Sequence, residues 1–543
     1  MKKFSKIYSV MALSAAFALT SCIDETVPED GSATAEQIGA SSAALEGALN
    51  GIPSQMAQGY YVYGNQTHET DMAYPQFMIA CTEMLGDMYP LGSNSGYDWY
   101  RNYNTMSSVG DNTYFAYLPW FTLYRFVKAA NDVISTVNIE DESVSAQIKG
   151  MAGAAYAMRA FDYYMLTVLF EPVENIYTDV SKVKGLTVPI VTEETQGEAA
   201  KSNPRVPHAE MIEFILSDLD KAEALLKNWT PPTKLVPDLA VVYGIRAKVH
   251  LWDEDYANAA KYARMAIEAQ NGKPMTADEW ENPTSAFAVA TSGWMWYIHY
   301  DPENMGNLCN FVGWMSGEAD WGYSSLTFPS IDKSLYDKIS DTDFRKHAWL
   351  DPAKFDYYEY KTVRDRAYIE DAPAHLSLKF RCKEGNWEDY ATGGAIDVPV
   401  MRVEEMYLIE AEAIGASQGV AQGVQKLNEF MNTYRDPAYK FNSSDLRTFQ
   451  LEVLTQMRIE FWGEGNAFPS AKRLKPGVMQ NYEGTNAPEN IFKINCAGIK
   501  PIWNLVIPTF EINNNNALKD WNNPNPSQSV VGPSPVGEYA PAN

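Results

Sequence analysis

The sequence predicts a mainly α protein, built as stacked helical hairpins that carry long, loop-rich aromatic insertions. Three observations predict it. Four blocks, at about residues 34–58, 120–170, 207–270 and 398–465, place apolar side chains at three- and four-residue spacing, with alanine and glycine recurring among the aromatics. Between and after them, residues 59–118, 272–397 and 466–543 show no helical period, yet they are too aromatic for disorder. Beyond residue 21, no apolar run reaches the roughly 20 residues that a membrane-spanning helix needs.

The chain opens with Lys2, Lys3 and Lys6 ahead of an uncharged apolar run from Ile7 to Leu19, which reads as a signal peptide over residues 1–21. The stretch Leu19-Thr20-Ser21-Cys22 resembles the lipobox of bacterial lipoproteins, so lipidation, a palmitate-type acylation, is expected at Cys22. Residues 22–33 are acidic, with Pro28 and Gly31 and no hydrophobic period, and should form a flexible linker. The domain proper runs over 34–543. Thr34 with Gln37 forms a candidate capping box at its start, the helical spacing runs through Ile52, and Pro53 sits just beyond that run.

In the second block, Trp120, Leu123, Tyr124 and Val127 share one face, and Asn131 interrupts it. In the next, Met211, Ile212, Ile215, Leu219, Ala222 and Leu226 form the apolar stripe, with Asp218 and Asp220 expected to face away. DLAVVYGIRAKVHLWDEDYANAAKYARMAIE reads as two helices joined at Asp253 to Asp255. It places Gly244, Tyr256, Ala260, Ala263 and Ala266 where close helix pairs need small or flat residues, and it resembles a tetratricopeptide-like hairpin. Residues 398–431 repeat the pattern with Tyr407, Ala411, Ala413, Ala421 and Leu427.

A net charge of −26 argues against nucleic acid, which needs clustered Lys and Arg. After Cys22 the cysteines are Cys81, Cys309, Cys382 and Cys496, without zinc spacing; one or two disulfides or buried free thiols fit equally. No cofactor and no metal is expected: Asp332, Asp337, Asp341 and Asp343 lack the glycine and distal glutamate of a Ca²⁺ loop. Nor is a catalytic residue identified. There is no HExxH, nucleophile elbow or phosphate loop, and Glu193-Glu194 and Glu404-Glu405 read as solvated faces. Asn513 to Asn516 reads as a turn-forming linker.

Aromatic recognition remains. A pyranose offers flat C–H faces to aromatic rings and a hydroxyl edge to Asn, Asp and Arg, so both residue types belong in one site. Residues 97–103 (YDWYRNY) supply Tyr97, Asp98, Trp99 and Arg101 after a small polar loop. Residues 293–300 (GWMWYIHY) contain Trp294 and Trp296, which a strand would send to the same face, with core packing the competing reading. Residues 310–323 (NFVGWMSGEADWGY) add Trp314, Asp320 and Trp321 among glycines. Candidate ligand contacts are therefore Tyr97, Asp98, Trp99, Arg101, Trp296, Trp314, Asp320 and Trp321, with exposure of Trp99 and Trp321 weighed evenly against burial.

Several segments resemble the SusD/RagB family of outer-membrane lipoproteins. Tyr124 to Ile134 is similar to the family's tyrosine helix ending in Ala-Asn, Ala155 to Phe170 to its aromatic arginine-alanine helix, and Val188-Pro189-Ile190-Val191-Thr192 to its PLVT element. Arg402 to Ala413 resembles its arginine–acid–tyrosine–AEA signature, while Ile507-Pro508 and Asn523-Pro524 sit where it has terminal prolines. Arg458 to Arg473 resembles the arginine–glutamate–Glu-Gly motif, with Ala467 and Ser470 where the family has arginine and aspartate. The resemblance implies a SusD-like fold and a non-enzymatic, lipid-anchored, surface-facing outer-membrane protein. Such a protein captures oligosaccharide or polysaccharide and delivers it to a SusC-like TonB-dependent transporter. Asp24 and Glu25 resemble the acidic signal that sends such lipoproteins outward. A peptide-binding RagB-like role is the alternative, and a surface glycoside hydrolase a more distant one.

Overall fold

The computed structural model describes residues 41–58, 61–63, 66–67, 74–91, 103–106, 109–304, 310–322, 324–351, 361–488, 492–529 and 531–541. Cys22, the linker, and the Thr34–Gln37 box therefore lie outside the described residues, as do Tyr97, Asp98, Trp99, Arg101 and Cys309. The principal helices are α1 (Ser42–Ala57), α2 (Tyr74–Met84), α3 (Tyr114–Ser135), α4 (Ala146–Phe170), α5 (His208–Leu226), α6 (Leu239–Trp252) and α7 (Tyr256–Ala269). After the second insertion come α8 (Val403–Ser417), α9 (Val420–Tyr434), α10 (Leu446–Glu460), α11 (Phe468–Leu474) and α12 (Thr509–Asn514). The fold is mainly α, as the periodicity predicts.

Helices stack in series: α3 on α4, α4 on α5, α6 on α7, α7 on α8, and α8 on α9. Small residues make the close pairs. Ala259, Ala260, Ala263 and Ala266 are buried along α7. A Cβ added at Gly423 of α9 would lie 2.5 Å from Gly415 Cα of α8, so the two backbones meet where neither has a side chain. Side-chain caps start the helices: Asp238 accepts from Val241 N at 3.0 Å, and Asp445 from Thr448 N at 2.8 Å. The α6–α7 turn falls at Asp253–Asp255, where Glu254 takes φ +58°.

The insertions are less irregular than their composition suggests. Residues 59–118 contain α2 and the strand β1 (Met88–Pro90); residues 272–397 contain β2 (Trp294–His299), β3 (Pro329–Ile331) and several single-turn helices. β1 pairs antiparallel with β3, and β2 with β4 (Asp397–Arg402). The opening of the fourth block, Val398 to Arg402, is thus strand rather than helix. Its alternation is hidden because both faces are covered. Asn513–Asn516 is not a linker: it spans the end of α12, and Asn515 is buried, donating Nδ2 to Asn203 O at 2.7 Å.

Charge is buried deliberately. Glu460, at the end of α10, accepts from Arg345 Nη1 (3.0 Å), Arg402 Nη1 (3.0 Å) and Arg435 Nε and Nη2 (2.8 and 2.9 Å). Glu404 pairs with Arg402 and Arg435, Glu464 with Lys379 and Arg402, and Asp343 with Arg345. All eight are buried, four cations against four anions, so the charge closes locally. Burial would raise Glu460, yet Arg435, Arg402 and Arg345 outweigh it and hold the carboxyl well below the usual range. Glu404 and Glu405 are therefore not solvated faces: Glu405 is buried too, 2.6 Å from Lys248 Nζ. Asp218 does not face away either; it receives Arg159 through Nε (2.7 Å) and Nη2 (2.8 Å) between α4 and α5. Met211, Ile212, Ile215, Leu219, Ala222 and Leu226 are buried around it as their spacing predicts, but an arginine one helix away reverses the cost of burying an acid.

Candidate functional site

The family-like segments act as fold determinants. Tyr124 Oη donates to Pro189 O at 2.6 Å and Asn131 Nδ2 to Val191 O at 3.1 Å, so the tyrosine helix holds the strand-like 188–192 segment by two side chains on one face, two turns apart. Arg402 and Glu460, from two separate motifs, meet in the buried network. Arg458 pairs with Asp87 (Nε to Oδ2, 3.0 Å), and Trp462 Nε1 donates to Asp87 O at 2.8 Å, fixing β1 to the same corner. Where Ala467 and Ser470 stand, α11 begins and both residues are buried. Lys472 behind them caps the end of α4, reaching Val168 O (2.7 Å) and Glu171 O (2.9 Å); burial pulls its pKa down to about 7.

Most of the expected aromatic contacts that can be placed lie inside. Trp296 is 1 % exposed, donates Nε1 to Leu235 O at 3.0 Å and meets Phe161 edge-on at 5.0 Å, and Trp294, two residues before it in β2, is buried as well. Trp314 is 3 % exposed. Trp321 is 6 % exposed, wedged against Gly393, with Nε1 3.4 Å from Asn310 Oδ1. The polar, glycine-rich setting of Trp321 invited a surface reading. That setting instead arises because its indole N–H needs an amide partner and its ring needs a neighbour without a side chain. Of the remaining cluster, Tyr103 is buried edge-on to Phe115 at 4.9 Å.

Asp320 is exposed, and around it the structure assembles a patch that sequence reasoning missed. Asp320 N donates to Trp387 O at 2.9 Å. The half-buried Trp387 lies under Arg364, whose Cζ is 4.0 Å from its ring centroid and 3.8 Å from that of Tyr368. Arg364 Nη1 donates to Glu318 O at 2.6 Å, and buried Glu318 pairs with Arg381 at 2.9 Å. Tyr390, at the surface beside them, is held through its carbonyl by Asn310 Nδ2. The signal was legible in residues 385–394 (GNWEDYATGG), which mix Trp and Tyr with Asn, Asp and Gly just as the chosen clusters do. This loop face offers a ring edge, a fixed guanidinium and an open carboxylate, a set suited to hydroxyl-rich ligands.

The acids weighed for metal binding have other partners: Asp343 holds Arg345, Asp341 Lys346 and Asp337 Lys333, while Asp332 caps the next helical turn. Glu193 pairs with Arg159. Cys81, Cys382 and Cys496 are buried free thiols, and burial pushes all three up, Cys496 to about 11. A separate cleft of about 1080 Å³ lies between α3, residues 189–203 and α12.

Stacked helical pairs carrying an aromatic loop face define a helical-hairpin scaffold, and known proteins share it. Residues 56–251 match the SusD-like family described as "Starch-binding associating with outer membrane". A SusD-like protein of Formosa agariphila is 22 % identical over 506 residues, covering 88 % of this chain and 92 % of its own. A SusD-like carbohydrate-binding protein of Bacteroides vulgatus superposes with a TM-score of 0.68 at 22 % identity, over 88 % of this chain and 97 % of the other. A surface glycan-binding protein of Bacteroides thetaiotaomicron, solved with laminarihexaose, gives 0.62 at 16 % identity over 91 % and 99 %. The family match thus covers residues 56–251, and the fold as a whole is shared with SusD-like structures.

Proposed function

We propose that this protein is a non-enzymatic, surface-facing glycan-binding lipoprotein, anchored to the outer membrane through Cys22, that hands oligosaccharide to a SusC-like TonB-dependent transporter. The observation that carries the reading is the loop face: Arg364 fixed on Trp387, with Asp320 and Tyr390 open beside it, on a scaffold shared with carbohydrate-binding relatives. The absence of catalysis is part of the proposal. The adjacent acids that could serve glycoside hydrolysis are spent, Glu404 on Arg402 and Arg435, Glu405 on Lys248, Glu193 on Arg159. Tyr97, Asp98, Trp99 and Arg101 belong to the proposed site as further contacts, and buried Trp321, next to Asp320, supports it through Asn310 and Gly393.

The test is affinity electrophoresis of the mature chain through gels containing starch, laminarin, xylan or galactan, repeated with Trp99→Ala and Tyr390→Ala and with a reducing-sugar assay alongside. Retardation by one glycan, lost in either variant, supports the site. Retention only on immobilised peptides would replace glycan by peptide, and release of reducing sugar would end the non-enzymatic reading.

A further inference from the structure

The cleft between α3, residues 189–203 and α12 shares no residue with the loop face. Phe121 of α3 and Phe510 of α12 both line it, their ring centroids 5.6 Å apart and their planes tilted by 50°, and buried Tyr117, one turn before Phe121, stacks on Phe121 at 5.6 Å and 4° between planes. Phe510 is 52 % exposed, among the most open large apolar side chains of the described residues. Its position is fixed: Phe510 N donates to Tyr117 Oη at 3.2 Å, and Asn515 ties the helix end to Asn203. A rigidly held, water-facing ring costs free energy unless something covers it.

The rim narrows what that is. Its charges balance in sign, Arg125, Lys128 and Lys201 against Asp132, Glu193 and Glu511, and Lys128 pairs with Asp132, Lys201 with Glu198 and Glu193 with Arg159. Amides remain. The exposed Gln196 side chain has no protein partner among the described residues, and Asn514 uses only Nδ2, on Phe510 O at 2.8 Å, leaving its carbonyl oxygen open. Charges balanced in sign and open amides around a pair of tilted aromatic rings fit a neutral ring that carries apolar C–H faces and a hydroxyl edge. They fit a polyanion or a lipid tail less well. The volume, about 1080 Å³, lies just above the usual range for small-ligand sites, about 300–1000 Å³, so it admits more than one sugar ring.

We infer that this cleft is a second carbohydrate-binding site, taking a neutral oligosaccharide on the Phe121–Phe510 platform. The inference rests on the glycan-binding reading of the protein and adds a second contact to it. Two sites on one chain would raise avidity for a long polymer without new contacts at either, provided one chain can span both.

The experiment measures retardation in gels containing starch, laminarin, xylan or galactan for the mature chain, Phe510→Ala, Tyr390→Ala and the double variant, with melting temperatures as the folding check. Because Phe510 is exposed, its truncation should leave the melting temperature unchanged. The expected result is a several-fold loss of retardation in Phe510→Ala and a larger loss in the double variant than in either single one. Retardation that is unchanged in Phe510→Ala overturns the cleft and leaves the loop face standing. Loss only in Phe510→Ala supports the cleft and overturns the loop face. No retardation of the parent chain by any glycan overturns both readings together.

Discussion

Replacing Glu460 by glutamine should destabilise this protein by roughly 3–5 kcal/mol, the cost of removing one partner from a buried ion pair. The carboxylate accepts four hydrogen bonds from three guanidinium groups, at 2.8 to 3.0 Å, with no exposure to solvent. Glutamine keeps one acceptor oxygen and turns an NH₂ group toward donors, so about two charge-assisted bonds are lost, each contributing roughly 1.5–3 kcal/mol. It also leaves four buried cations facing three anions. Urea unfolding followed by tryptophan fluorescence and circular dichroism would measure the loss, using the two probes to check that unfolding stays a single transition. The effect should persist in 0.5 M salt, since buried charges are little screened. Asp132→Ala, which breaks only the exposed pair with Lys128, should cost less than about 1 kcal/mol. A loss below about 1 kcal/mol for Glu460→Gln, or one that salt abolishes, would refute the argument that this network holds the corner together.

Four further outcomes follow from particular contacts. His208 lies between Glu171 (2.9 Å) and Asp253 (3.0 Å); the Glu171 hydrogen bond chiefly raises its pKa to about 9, so its contribution is full below its ordinary value of 6.5 and lost as pH rises through about 9. His208→Gln should therefore flatten the decline in melting temperature between pH 6.5 and 9, and an unchanged slope would exclude the pairing. Trp296→Ala should cost about 3–5 kcal/mol in a urea titration because the indole is wholly enclosed. Tyr124→Phe removes one hydrogen bond to Pro189 O and should cost about 1 kcal/mol, read as a small shift of the urea midpoint without loss of helix signal. Cys22→Ala should leave folding and glycan retardation intact while the protein leaves the membrane fraction, so full retention there without a partner would disprove the anchor.

Helical periodicity made the scaffold legible because each helix buries one stripe: the α6–α7 turn fell at Asp253–Asp255 as its residues require. Strand β4 was illegible for the opposite reason, since a strand covered on both faces carries no alternation. Acids were misread by the same logic. Asp218 and Glu404 look solvated until Arg159 and Arg435, distant in sequence, are brought beside them. At the candidate site the sequence signal was composition, and composition does not separate a ring that binds from one that supports. Trp321 and Trp387 share the same neighbours, Asn, Asp and Gly; one lies under the turn at Gly393, and the other under Arg364 near the surface.

That difference has a consequence for reading ligand experiments. Trp314→Ala or Trp321→Ala would open a cavity in the core, and a core aromatic truncated to alanine costs about 3–5 kcal/mol. Lost binding in those variants would then report lost packing as readily as a lost contact. Asp320→Ala separates the two: the side chain is exposed, while its backbone N–H keeps the bond to Trp387 O. Its melting temperature should match the parent's, so weakened glycan retardation would belong to the carboxylate alone. If Asp320→Ala and Tyr390→Ala both bound as the parent does while Trp321→Ala lost binding and stability together, the loop face would be scaffold, and the ligand contacts would have to be sought elsewhere.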